Sequence, residues 1–266
     1  MPVPAQYETL LLERPEEHLL IVRLNRPERR NAMNTQMGRD LLHLFTGLYS
    51  DQQGARCIVL TGAGQAFCAG GDLKERNDMT DEAWRHQHAI FEQHIQAMME
   101  CPVPMIAAVN GAAYAGGLEM ALTADFIYAA KSVRFALTET SLGIMPGAGG
   151  TQNLPRACGV RRAKEIILTA EPFTAEEAFE WGIVNKLCDD DAALNDASLS
   201  TARKIAANAP LAVRQAKKSI GMATQLDLKT GYAFEIEAYN RLVSTRDRLE
   251  GVRAFNEKRK PDFKGE

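Results

Sequence analysis

Two short apolar runs, each emptying into a loop of small residues, constrain this chain more than any other feature. Cys57-Ile58-Val59-Leu60 ends in Thr61-Gly62 and leads on to Ala66-Phe67-Cys68-Ala69-Gly70-Gly71-Asp72-Leu73. Met105-Ile106-Ala107-Ala108-Val109 leads into Asn110-Gly111-Ala112-Ala113-Tyr114-Ala115-Gly116-Gly117-Leu118-Glu119. A run that is apolar at every position has no solvent face, so both are expected to be buried strands. Small residues after a strand let a ligand approach the backbone closely. A peptide N–H that opens a helix carries positive potential and lacks an acceptor of its own. Two such groups from separate loops, aimed at one point, make an oxyanion hole. The same glycines also serve tight turns and close helix–strand packing, and Ala-Gly-Gly alone does not separate these uses.

Around these junctions the chain alternates strand and helix. Tyr7–Glu13 and His18–Leu24 are expected to form a hairpin across Arg14-Pro15-Glu16-Glu17. From the N-cap Asn34, apolar residues at Met37, Leu41, Leu44, Phe45 and Leu48 share one helical face. Gly62 to Asp72 is expected to be a loop, and Thr80 to Glu100 a helix stopped by Pro102 and Pro104. Gly111 to Gly117 is expected to be a turn before a helix that runs through Thr123. Asp125–Ala130 and Val133–Thr138 are expected to pair as strands, before the glycine-rich Gly143–Gly150 stretch. Helix Arg161–Thr169 follows. Thr174 and Glu177 form a capping box, Gly182 ends that helix, and Ile183–Leu187 is the last strand. Beyond about residue 190 the pattern is helical, with Pro210 at a helix start. There is no internal repeat and no flexible linker.

Composition removes several function classes. Basic residues number 31 against 34 acidic, a net charge of −3, so no positive excess exists to hold a phosphate backbone. The five cysteines, Cys57, Cys68, Cys101, Cys158 and Cys188, form no C-x-x-C, which argues against a disulfide framework or zinc site and fits a reducing compartment. No run approaches about 18 apolar residues, and Met1–Leu12 lacks the basic flank and apolar core of a leader. The expectation is a cytoplasmic protein with no membrane partner. G-x-S-x-G and Walker A motifs are absent, and Gly62-Ala63-Gly64 lacks the third glycine of a dinucleotide fingerprint. His86, His88 and His94 lack the i, i+4 spacing of a helical zinc site, so no metal is expected.

Two carboxylates remain. Glu119 follows Gly116-Gly117 in the first turn of a mostly apolar helix, and Glu139 precedes the Gly147–Gly150 loop. Each suits either a dipole-complementing or surface role, or general acid–base work in a site that perturbs its pKa.

Taken in order, five segments resemble the crotonase (enoyl-CoA hydratase/isomerase) superfamily over nearly the whole chain. They are Asn25–Asn34, Ala69–Leu73, Val109–Gly117, Glu139–Gly143 running into Pro146–Gln152, and Phe255–Phe263. The resemblance implies an α/β fold: a spiral of ββα turns over residues 1–195, with a C-terminal all-helical oligomerisation region over 196–266. Trimers, usually paired into hexamers, would follow. It implies that the N–H groups of Gly71 and Gly116 bind a thioester carbonyl oxygen and stabilise an enolate. Backbone groups around Ala32, Ala69, Gly70, Asp72 and Leu73 would hold coenzyme A, with Arg29 or Arg30 approaching its phosphates. Phe255 and Lys258 would reach the coenzyme A of a neighbouring subunit. Coenzyme A is here part of the substrate, and no separate cofactor is implied.

Superfamily hydratases hold water between two glutamates, and both positions are filled, by Glu119 and Glu139. The implied reaction is hydration of a 2-enoyl-CoA, with Glu139 exchanging the proton at C2 and Glu119 activating the water. Gly71 stands where many hydratases carry Ala. Glu139-Thr140-Ser141-Leu142 is similar to the branch containing methylglutaconyl-CoA hydratases. Asn153 replaces an Arg often found there, with no consequence that follows from the sequence. An isomerase, a decarboxylase, a methylglutaconyl-CoA hydratase-like enzyme and a catalytically silent acyl-CoA binder are the alternatives. RNA binding, known for a branch with a lysine-rich helix, is disfavoured because Thr35–Tyr49 contains no Lys and only Arg39. The acyl pocket is expected to be lined by Lys74–Phe91 and the C-terminal helices. Arg76, Arg85 and the three histidines there either meet a carboxylated tail or are solvated, and Trp84, Ile90, Phe91 and Met98 are more often core than pocket.

Overall fold

The computed structural model describes residues 6–266; the first five residues of the Met1–Leu12 segment lie outside the described residues. Strand β1 (Leu10–Glu13) pairs antiparallel with β2 (Leu19–Leu24), Leu10 facing Leu24. The strand starts later than Tyr7 because the Thr9 N–H and hydroxyl both donate to Asp40 Oδ2, at 2.9 and 2.7 Å. That contact ties the strand entrance to helix α1 (Thr35–Ser50), whose first turn is capped by Asn34 accepting from the Met37 N–H. The helix buries Met37, Leu41, Leu44, Phe45 and Leu48, the stripe its spacing demands.

Strand β3 (Cys57–Gly62) is buried at all six positions and runs parallel to β2. The chain then leaves that sheet directly for β4 (Ala66–Cys68), and Asp72 caps the short helix α2 (Leu73–Arg76). Helix α3 (Asp81–Met99), capped by Thr80, packs on α1. The same passage repeats twice. Strand β5 (Met105–Val109) returns beside β3, β6 (Ala112–Tyr114) lies beside β4, and α4 (Gly116–Ala121) follows. Strand β7 (Phe126–Ala130) joins β5 and β8 (Arg134–Ala136) joins β6. Helices α5 (Gly150–Cys158) and α6 (Val160–Thr169) lead to β9 (Phe173–Thr174), antiparallel to β8. Helix α7 (Ala175–Glu180) carries the Thr174–Glu177 capping box, and β10 (Lys186–Cys188) closes parallel to β7. Four helices end the chain: α8 (Asp191–Ala206), α9 (Pro210–Ala223), α10 (Leu228–Val243) and α11 (Arg246–Asn256).

Successive turns thus deal one strand to a six-stranded sheet, in the order β1-β2-β3-β5-β7-β10, and the next to a four-stranded sheet, β4-β6-β8-β9. This is the spiral of ββα turns with a helical C-terminal region that the resemblance implied. Four local expectations give way. The Gly62–Asp72 and Gly111–Gly117 stretches each hold a three-residue strand, because their partners come from the neighbouring turn of the spiral. Asp125–Ala130 and Val133–Thr138 do not pair: β7 and β8 belong to different sheets, each aligned on the preceding turn. The last strand begins at Lys186, since the N–H groups of Ile183 and Val184 both bond Ala178 O and finish the turn after α7. Strand β9 carries no sequence signal, being two residues long.

Helix α8 packs on β3, β5, β7 and β10, burying Leu194, Ser198, Ala202 and Ala206, and residues 195 and 196 fall inside it. The helices beyond bury little: Pro210, Ala238, Asp247 and Ala254. They leave Ile220, Leu228, Tyr232, Ile236, Tyr239 and Val243 exposed. Among the described residues no helix is long and apolar enough to cross a membrane.

Candidate active site

The two glycine junctions meet at one cavity of about 510 Å³. At the first, Met33 and Gly71 form a parallel bridge. The Met33 N–H donates to Gly70 O at 2.7 Å and the Asp72 N–H donates to Met33 O at 2.8 Å. Those bonds use the peptide groups on either side of Gly71, so its own N–H faces away from Met33. At the second junction Ala115 adopts φ 50°, ψ −125°, rare for a residue with a Cβ. Such a conformation costs on the order of 1–3 kcal/mol and needs surrounding structure to hold it. Here the Ala115 N–H donates to Ala136 O of β8 at 2.8 Å. Gly116 then opens α4, and its N–H has no acceptor within the helix. A Cβ on Gly117 would stand 2.2 Å from Cys68 O, so only glycine lets α4 begin against β4. Gly71 and Gly116 both line the cavity.

Glu119 and Glu139 line the same cavity, 2% and 6% exposed. Glu119 Oε1 accepts from the N–H groups of Ala148 and Gly150, both at 2.8 Å. Its Oε2 lies 3.9 Å from where a Cβ of Gly116 would sit. Burial raises its pKa, and the two amides offset only part of that. Glu139 sits in a single 3-10 turn, Glu139–Leu142, and its buried Oε2 has no hydrogen-bond partner. Burial and the negative charge of Glu119 push its pKa up to about 7. One carboxylate is anchored by amides; the other is poised to hold a proton near neutrality.

The residues expected around coenzyme A divide. Ala69 and Leu73 line the cavity. Ala69 donates its N–H to Arg30 O at 3.0 Å, and Ala32 O accepts from Arg26. Gly70, at φ +92°, turns the chain between them. The Asp72 carboxylate faces inward: it caps α2 through the Lys74 and Glu75 N–H groups and pairs with Arg26 Nη1 at 3.0 Å. Burial pushes its pKa up, but the Arg26 bond and those amides outweigh burial and hold it below the usual range. Arg26, which sequence reasoning did not single out, therefore locks Ala32 to Asp72. The buried Asn31 adds to the lock: its Oδ1 accepts from the Arg26 N–H at 2.8 Å, and its Nδ2 donates to Ala63 O and Ala66 O at 2.9 and 2.8 Å. Only the charge of Arg26 beside Pro27 signalled it, and that was shared with Arg29 and Arg30. Those two are exposed, at the end of and just after the 3-10 turn Pro27–Arg29. Phe255, 84% exposed, and Lys258 lie at the end of α11 and do not line the cavity.

The acyl pocket is lined differently from expectation. Leu73, Arg76, Trp84, His88 and Phe91 do line it, but no residue of the C-terminal helices does. Helix α8 carries the tail onto the six-stranded sheet, and the vacated wall is built by Leu142, Ile144, Met145, Gly147 and Ala148. Ile90 and Met98 are core, Trp84 and Phe91 are pocket. Arg85 pairs with Asp81 in solvent, His86 is exposed and His94 is fully buried. A wider depression of about 750 Å³ lies between Arg246, Glu250, Arg253 and Arg259. Its ions already satisfy one another, Glu250 pairing with both Arg253 and Arg259, so the apolar cavity with the unpartnered carboxylate is the one equipped for chemistry.

A spiral of this kind with an acid–base cavity at its glycine junctions defines an acyl-thioester hydratase or isomerase of the crotonase superfamily. The chain belongs to the enoyl-CoA hydratase/isomerase family, whose sequence model matches residues 14–266. It is similar to the crystal structure of an enoyl-CoA hydratase from Bacillus anthracis, with 42% identity and a TM-score of 0.94, covering 97% of this chain and 100% of that one. It is 39% identical to the mitochondrial methylglutaconyl-CoA hydratase of Mus musculus, over 96% of this chain and 82% of that protein. It is 36% identical to the short-chain-enoyl-CoA hydratase of Clostridium acetobutylicum, over 96% and 97%.

Proposed function

We propose that this protein hydrates a 2-enoyl-CoA thioester. The observation that carries the reading is the pair of buried carboxylates in one cavity, anchored Glu119 and unpartnered Glu139. The thioester oxygen accepts from the Gly71 and Gly116 N–H groups, which strengthen as negative charge develops on it. Glu119 Oε2 takes a proton from water, and the water oxygen bonds to C3. The alkene pair moves toward the thioester to give the enolate. Glu139 delivers its proton to C2 as the carbonyl re-forms. A donor carboxylic acid with a pKa of about 7 suits that last step at neutral pH. Isomerisation needs a single base, and the second buried carboxylate supports hydration over it.

Coenzyme A enters as part of the substrate, between Ala69, Gly70 and Leu73, with Arg29 or Arg30 near its phosphates. We further propose a trimer, or a dimer of trimers, in which the apolar faces of the C-terminal helices meet and Phe255 and Lys258 reach a neighbour's coenzyme A. The exposed Ile220, Leu228, Tyr232 and Ile236 support that assembly.

The test is loss of enoyl-thioester absorbance with crotonyl-CoA, a longer enoyl-CoA and 3-methylglutaconyl-CoA, for wild type and Glu119→Gln. Turnover that collapses in the variant is expected. Absence of turnover on all three by wild type, with the esters still bound, overturns the hydratase reading in favour of an isomerase or a silent binder.

A further inference from the structure

Beside Gly71 stands an arginine that the mechanism does not use. The Arg76 guanidinium carbon lies 4.4 Å from the centre of the Trp84 ring and 5.3 Å from that of Phe91. Its Nε donates to Gln87 Oε1 at 2.7 Å. Gln87 is buried and cannot turn, because its Nε2 donates to Thr35 Oγ1 at 2.8 Å and to Glu75 Oε2 at 2.7 Å. Two aromatic faces and one fixed amide therefore hold the guanidinium in place. Its terminal nitrogens, Nη1 and Nη2, make no hydrogen bond or ion pair with any described residue, although the side chain lines the cavity. The neighbouring Glu75 acts on it by charge but forms no ion pair with it: Oε2 of that carboxylate takes the Thr35 N–H at 2.9 Å as well as the Gln87 bond, which leaves the guanidinium fork without a direct partner. An arginine fork carries several donors in one plane, matched to a carboxylate. Here that fork ends in the acyl cavity.

Position 71 fits the same arrangement. A Cβ there would stand 3.1 Å from Arg76 Nη1 and 3.2 Å from its Cζ. Glycine leaves the fork uncovered on the side where the thioester is read to sit. We propose that Arg76 is a specificity-determining residue that binds a carboxylate on the acyl group, so that the preferred substrate is a short 2-enoyl thioester bearing a free carboxylate. The inference rests on the reading of the Gly71 and Gly116 N–H groups as the thioester-oxygen donors. With Nη1 so close to Gly71 and a guanidinium–carboxylate bond of about 2.8 Å, the carboxylate lies only a few bonds from the thioester, which sets the short chain. Trp84, Phe91, Ile144 and Met145 supply the apolar walls for the carbons between.

The test is binding, by titration calorimetry, of glutaryl-CoA against pentanoyl-CoA. Both acyl groups have the same number of carbons and no double bond, so neither is hydrated, and any phosphate contact cancels between them. Wild type is expected to bind glutaryl-CoA about tenfold more tightly or better. Arg76→Met is expected to bring the ratio within about threefold, and Arg76→Lys to keep part of it. Equal affinities in wild type, or a preference that survives Arg76→Met, overturn the proposal. The wild-type comparison needs no variant, so the proposal stays open to refutation even where Arg76→Met misfolds. Failure of hydration appears as absent turnover on enoyl thioesters, whereas failure of carboxylate recognition appears in this ratio alone.

Discussion

Glu119 enters the cavity from the first turn of α4 with one oxygen gripped by two backbone amides, whereas Glu139 enters from a 3-10 turn with an oxygen that meets no donor. Both are buried and both pKa values rise, but for different balances of causes. Hydrogen bonds to a charged acceptor contribute about 1.5–3 kcal/mol each and favour the ionised form, so the Ala148 and Gly150 amides restrain the rise at Glu119. Glu139 draws only a smaller opposing effect from its own backbone N–H, and burial together with its neighbour's charge takes it to about 7. In the proposed reaction, one residue type thus serves as base and as acid within one cavity, separated by what the backbone offers each.

The sharpest way to break this contrast is Glu139→Gln, which keeps the shape and removes the titrating proton. Hydration is expected to fall by about a thousandfold while acyl-CoA affinity, measured by calorimetry, changes little. Near wild-type turnover would sink the assigned role. The amide cradle is tested by Gly150→Ala, whose methyl would stand 2.9 Å from Glu119 Oε1. Displacing that carboxylate is expected to lower kcat by about 10–100-fold and to raise the acidic limb of the pH–rate profile. An unmoved limb would mean the cradle does not tune Glu119. In wild type, kcat/KM is expected to decline as pH rises through about 7, because Glu139 must carry a proton to deliver it. A profile flat from pH 6 to 9 would contradict this.

The smallest effect is on stability. The folded pKa of Glu139 lies above its ordinary value, so the fold favours the protonated form. Its contribution is fully present below the ordinary carboxylate pKa and is lost as pH rises through about 7. Glu139→Gln is therefore expected to raise Tm by a few degrees at pH 8, on the order of 2 kcal/mol, and hardly at all at pH 4. Equal shifts at both pH values in a thermal melt would show that its burial is not what displaces the pKa.

The parts of the molecule written in local pattern were legible before any coordinates. Helix α1 shows its buried stripe, β3 is apolar from Cys57 to Leu60 and β5 throughout, and Thr174 with Glu177 announces α7. Strands β4 and β6 were not legible, since three residues hold no period and their partners sit a full turn of chain away. The same holds for the site. Glu119, Glu139, Gly71 and Gly116 stood out through motifs in order along the chain. Arg26 did not, because its meaning is a bond to Asp72, 46 residues on. The pocket wall was misplaced for a related reason: whether a C-terminal helix covers a cavity depends on where α8 docks, and no residue of Leu142–Ala148 advertises that it will serve instead.

The dealing of strands alternately to two sheets also sets a timetable. A chain emerging from the ribosome presents Gly71 first, Gly116 some forty-five residues later, and Glu139 later still. The amides of Ala148 and Gly150 that steady Glu119 are the last of these groups to emerge. Each ββα turn stacks on the one already made, so the scaffold can assemble in the order of its synthesis. The reactive centre, in contrast, is empty until three turns are in register. A truncated product ending before residue 148 would carry both glycines and both glutamates, yet lack the amides that hold the first glutamate still.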